Sequence, residues 1–136
     1  MFNKILYRPN DNGYEGYYFY NGDKADELVF SFKIDNCQLC CEDFGINLYK
    51  DGIIYHGDKD YAKDEIVWLQ TSQPVTAVRW AYPKDLPPAV AVDYAGIVIE
   101  FDDKTRMSVV AYNNRAGDYQ HNVVFTLDGK EDKQRL

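Results

Sequence analysis

The chain has 136 residues, a formal net charge of −7, and 46% hydrophobic and 15% aromatic residues. That length suits one domain whose core needs no disulfide, and it leaves no room for two domains. Apolar runs such as 89–92 and 96–99 are too short for a membrane-crossing helix and each closes on a charge, while the N-terminus reads as lacking the apolar core of a secretory signal.

Between turns the hydrophobicity alternates with period two, which predicts half-buried strands. Residues 2–8 form the first strand and end at Pro9-Asn10-Asp11-Asn12-Gly13. Residues 14–20 form the second, with Tyr17 and Phe19 on one face and Tyr14, Tyr18 and Tyr20 on the other. Tyrosines on both faces suit an edge strand, open to a partner or to a second copy in a homo-oligomer. Asn21-Gly22 is a hairpin-turn pair. Residues 27–34 then place Leu28, Phe30, Phe32 and Ile34 on one face.

Residues 35–42 interrupt the alternation. Phe44, Ile46 and Leu48 resume it, and Asp51-Gly52 turns the chain into 53–56. The charged stretch 57–64 reads as a loop or a single helical turn. Strands are expected at 65–70 and 75–82, before the break at Pro87-Pro88. A meander follows, with strands at 89–94, 97–101, 106–112 and 120–127, and the polar end of a 128–136 tail is expected to fray. The fold class is therefore mainly β, an antiparallel sandwich or partly open barrel with at most one short helix, forming a single domain over 1–136.

Charge is unevenly spread. Residues 11–65 hold thirteen acids and five bases, a net of −8. Such a region repels a phosphate backbone, so direct nucleic-acid binding is not expected. It suits either a solvated surface or a face that meets a basic protein.

The cysteines stand close together in Cys37-Gln38-Leu39-Cys40-Cys41-Glu42. Three thiols in five residues make no disulfide framework, which fits a cytoplasmic setting. A C-x-x-C pair is half of a tetrahedral zinc site. Cys37, Cys40 and Cys41 would need His56 or His121 to complete it, since no second C-x-x-C and no paired histidines occur. The alternatives are thiols packed as small hydrophobes, or a Cys–His nucleophile. No phosphate loop, dinucleotide fingerprint, nucleophile elbow or HExxH motif is present, which argues against an enzyme. No cofactor is expected, with zinc the alternative.

The strongest candidate for a contact site is the loop carrying Tyr112, Asn113, Asn114, Arg115, Asp118 and Tyr119. It groups tyrosines, amides and an arginine between two strands, and Tyr and Arg carry binding energy more often than other residues. The competing reading is an ordinary hairpin connection.

Two segments carry a resemblance. Cys40-Cys41-Glu42 leads into Phe44-Gly45-Ile46-Asn47-Leu48, and 107–125 places Tyr112, Gly117, Tyr119, Val123 and Phe125 in a strand–loop–strand layout. Together, over roughly 28–48 and 97–127, they resemble an uncharacterised phage and prophage domain family with a Cys-Cys-Glu motif. The resemblance implies a bacterial mobile-element origin and a cytoplasmic setting; it implies no activity. The functional expectation is a non-catalytic protein that binds a bacterial host factor, such as a nucleic-acid-handling defence enzyme, through its acidic surface. The alternatives are a β-domain binding a nucleotide-like ligand, and a zinc-binding or Cys-dependent protein.

Overall fold

A computed structural model describes residues 1–22, 25–37, 43–57, 63–69, 74–86, 93–114 and 119–136. Among these residues 69% are strand, arranged in two antiparallel sheets that face each other without closing into a barrel. The strands are β1 (Lys4–Asp11), β2 (Tyr14–Asn21), β3 (Glu27–Asp35), β4 (Phe44–Lys50), β5 (Ile53–His56), β6 (Glu65–Leu69), β7 (Val75–Trp80), β8 (Asp93–Phe101), β9 (Arg106–Asn113), β10 (Asn122–Leu127) and β11 (Lys130–Arg135). A 3-10 turn, Pro83–Asp85, follows β7. One sheet runs β11-β10-β3-β2-β1-β6 and the other β5-β4-β9-β8-β7.

The alternation read from the sequence points the core inward. Ile5 and Tyr7, Tyr17 and Phe19, and Phe30, Phe32 and Ile34 line one sheet; Ile46 and Leu48, Ile97 and Ile99, and Val109 and Ala111 line the other. Aromatic rings fill the space between them. Phe19 stacks on Phe30 at 4.1 Å, and Phe2 meets both edge-on. Trp80 meets Phe32 and Phe125 edge-on, each at 5.6 Å. Offset and edge-to-face pairs of this kind add to the burial of the rings themselves.

Four expectations are corrected. The Tyr-rich strand is not an edge: β2 lies inside its sheet, paired with β1 and β3, so it offers no free backbone to a second copy. Leu28 is not in the core. The register slips between Phe19 and Tyr20, so Val29 is an extra residue on β3; Val29 packs on the core while Leu28 turns outward, 44% exposed. The expected frayed tail is strand β11, paired along its length with β10, and Leu136 beyond it is buried. Strand β8 runs unbroken through Ala95-Gly96, with no turn there. Residues 89–92 of the strand expected at 89–94, and residues 58–62 of the stretch 57–64 read as a loop or a single helical turn, lie outside the described residues. No described helix is long and apolar enough to cross a membrane.

Candidate interaction surface and polar clusters

Four strands lie at sheet ends: β11 and β6 in one sheet, β5 and β7 in the other. Exposed backbone at a sheet end invites association, and natural proteins manage it with charge, bulges or cover. Strand β11 reads Lys-Glu-Asp-Lys-Gln-Arg and is exposed throughout. Its neighbour across the sandwich is β7, and Trp80 Nε1 donates to Asp132 at 2.6 Å to join them. Strands β7 and β6 carry register breaks in their pairing, at Thr76 and Val67.

The β5/β6 side differs in its side chains. Ile53, Ile54 and Tyr55 are all exposed, at 73%, 45% and 47%, on a short strand at the sheet end whose pairing with β4 skips Tyr55. On β6, Ile66 and Leu69 are exposed as well. His56 ends β5, Glu65 begins β6, and their side chains meet at 2.6 Å, which places the two edges side by side. Five of the eight exposed large hydrophobic residues described in the chain lie on these two strands. Scattered apolar residues on a surface need no explanation, but here two edge strands carry most of them: Ile54 shares the outer face of its sheet with Tyr49, and Ile66 that of the other sheet with Leu6.

Beneath that side lies a polar cluster. Tyr17, fully buried, places its hydroxyl 2.7 Å from His56 Nδ1 and 3.0 Å from the His56 carbonyl. The ring of Tyr7 packs 4.9 Å from the His56 imidazole, and its hydroxyl donates to Glu15. The backbone turns away at Gly57, at φ +139°, where a Cβ would lie 2.0 Å from Asn47 Oδ1.

His121 stands in a separate cluster. Its Nδ1 donates to the Asp35 carboxylate at 2.6 Å and the Asp35 carbonyl at 3.0 Å, and its ring stacks on Phe44 at 3.9 Å. Asp35 and Phe44 flank the segment that carries the cysteines. Of the two candidate histidines, His121 is therefore the one tied to both sides of that segment, while His56 belongs to the β5/β6 side. Cys37 is exposed; Cys40 and Cys41 lie outside the described residues. Among the described residues no group of three or more His, Cys, Asp or Glu side chains is placed to hold a metal.

The loop expected to make contacts is partly turned inward. Asn113 is fully buried and its Nδ2 donates to the carbonyls of Tyr119 (2.6 Å) and Leu136 (3.3 Å). Asn114 binds Asp43 through both its backbone N–H and its side-chain amide. Tyr112 covers Gly45 so closely that a Cβ there would sit 2.8 Å from its hydroxyl. Arg115 and Asp118 lie outside the described residues. The structure thus places Tyr112 and Asn113 at the end of β9, and brings Asn113 to Tyr119 and Leu136 and Asn114 to Asp43.

No known family model, curated protein or solved structure matches the chain.

Charged groups also organise the outer faces. On the sheet containing β1–β3, the Arg8 guanidinium lies 5.0 Å over the ring of Tyr18, while Lys33 lies 4.9 Å over Tyr14 and 6.0 Å from Tyr18. Tyr18 is consequently buried on an outer face. Burial and then its hydrogen bond to Asp11 raise its hydroxyl well above the usual tyrosine range. On the other sheet, Arg79 binds Asp85 and Glu100 at 2.9 and 3.1 Å, and Arg106 binds the same pair at 3.4 and 3.0 Å. The Arg79 guanidinium, followed by the Tyr82 N–H, holds the Asp85 carboxyl down at about 2. A shallow cavity of about 300 Å³ beside this network is lined by Asp51, Asp85, Leu86, Val98, Arg106 and Ser108, among others. Of its lining groups, Asp85 and Arg106 are paired with each other.

Sequence reasoning missed the β5/β6 side. The signal was present in Ile53-Ile54-Tyr55: three successive apolar residues on a four-residue strand cannot all face one core.

Proposed function

We propose that this chain is a non-catalytic interaction protein that engages a basic protein partner across its β5/β6 side. The observation that carries this reading is the clustering of Ile53, Ile54, Tyr55, Ile66 and Leu69 as exposed side chains on two adjacent strands. An apolar centre supplies the burial that makes an interface stable. Both ends of β5 and the start of β6 fall within the acidic 11–65 region, which steers a cationic partner and disfavours a second copy carrying the same charge. A bacterial protein that handles nucleic acid has the basic surface this chemistry fits. That class also agrees with the resemblance to phage and prophage domains and with a cytoplasmic site of action.

The test compares wild type with an Ile54→Lys/Leu69→Lys double variant, each incubated with bacterial lysate and analysed by native mass spectrometry and hydrogen exchange. The expected result is a basic protein bound by wild type, protection of 53–57 and 65–69 in the complex, and binding at least tenfold weaker in the variant. Binding should also weaken as salt rises. Equal binding by the variant, or binding indifferent to salt, refutes the proposal.

A further inference from the structure

The polar cluster under the same side has an unusual hydrogen-bonding property. A carboxylate only accepts, so His56 Nε2 must carry a proton and donate it to Glu65 Oε1 at 2.6 Å. The other ring nitrogen, Nδ1, faces the Tyr17 hydroxyl at 2.7 Å, and that hydroxyl also reaches the His56 carbonyl at 3.0 Å. Two arrangements of these groups therefore exist. With His56 neutral, the Tyr17 O–H donates to Nδ1. With His56 charged, Nδ1–H donates to the Tyr17 oxygen, and the Tyr17 O–H swings to the His56 carbonyl. Each donor has an acceptor in both states, and no heavy atom moves.

We propose that Tyr17 makes His56 a proton-responsive clasp between β5 and β6. Histidine is the side chain whose ordinary chemistry changes charge between about pH 5 and 8. When His56 gains its proton, the link to Glu65 becomes an ion pair joining the two edge strands. The described titratable groups facing the imidazole are Tyr7 from β1, Glu15 (through Tyr7) and Tyr17 from β2, and Glu65 from β6. A buried polar group normally loses a partner when its protonation changes, and that loss is costly. The rotating hydroxyl removes the loss. The consequence for the interaction surface rests on the function proposed above: the added positive charge lies under the side that attracts a basic partner, so acidification weakens that engagement.

The clasp can be tested on the full chain alone, apart from any partner. The measurement is ¹⁵N NMR of the His56 ring with hydrogen exchange of 53–56, in wild type, Tyr17→Phe and Glu65→Gln. Wild type should show Nε2 protonated throughout and Nδ1 gaining its proton on acidification, with the protection of β5 retained. In Tyr17→Phe, the charged ring loses the Tyr17 hydroxyl as acceptor, so β5 protection should fall at least tenfold at the acid end and much less at the neutral end. Glu65 is 40% exposed, so Glu65→Gln should fold while replacing the ion pair with a neutral hydrogen bond, and its β5 protection at the acid end should fall below that of wild type. A neutral ring protonated on Nδ1 instead of Nε2 overturns the assignment. So does β5 protection that responds to acid identically in wild type and Tyr17→Phe. Either result leaves the partner-binding proposal standing, since that depends on the exposed apolar residues.

Discussion

Replacing Asn113 with alanine separates a contact residue from a structural one. The side chain is fully buried, and its amide supplies hydrogen bonds to two carbonyls, those of Tyr119 and Leu136. Each such bond contributes about 0.5–1.5 kcal/mol net, and truncating a fully buried side chain adds a packing loss of about 1 kcal/mol. A loss of about 2–3 kcal/mol follows for the substitution. An unfolding entropy of roughly 2.1 cal/mol/K per residue converts this to about 3.5 °C of melting temperature per kcal/mol for a chain of this size. Asn113→Ala should therefore melt about 7–10 °C below wild type in calorimetry. Hydrogen exchange should accelerate at His121 and Leu136, whose backbones pair with each other. A melting temperature within about 1 °C of wild type would refute the structural assignment and return Asn113 to the exposed, partner-facing role that its loop suggests.

Two further outcomes follow from the packing and the charge network. Asp85→Asn removes the carboxylate shared by Arg79 and Arg106, so thermal melts at neutral pH should show wild type as the more stable protein. Because the folded carboxyl sits at about 2 against an ordinary 3.8, that advantage is complete above the ordinary value and disappears as pH falls through about 2; a gap that persists unchanged there would contradict the pairing. Gly16→Ala would put a Cβ 2.3 Å from the Phe32 carbonyl in the middle of the sheet, so urea titration should show a loss of roughly 1–3 kcal/mol or more, and unchanged stability would mean β2 and β3 separate more easily than their register indicates.

Much of the architecture was legible because most strands bury one face. Tyr17 and Phe19, Phe30 to Ile34, and Ile97 and Ile99 alternate as the pleat requires, and Asp51-Gly52 marks its hairpin plainly. Strand β11 was not legible for the opposite reason: all six residues are wet, so its backbone pairing with β10 leaves no hydrophobic period to read. The interior place of β2 depends on pairing with strands before and after it, and tyrosine content carries no information about strand order. Leu28 escaped because one extra residue, Val29, reverses the faces of everything before it. Of the candidate contact loop, Tyr112 and Asn113 belong to β9, and the inward turn of Asn113 depends on Leu136, 23 residues away. His56 was read as a candidate partner for the cysteines, of which Cys40 and Cys41 lie outside the described residues; its described neighbours come from three strands whose approach only the sandwich creates.

The two tryptophans give the sandwich a built-in optical readout. Trp68 on β6 lies against Phe2 at 5.4 Å, while Trp80 on β7 spans to β11 through Asp132. A Trp80→Phe protein emits from the β5/β6 side alone, and a Trp68→Phe protein from the opposite side alone. Emission colour and quencher access in the pair would then report whether the two long sides of the molecule loosen together on heating or one after the other.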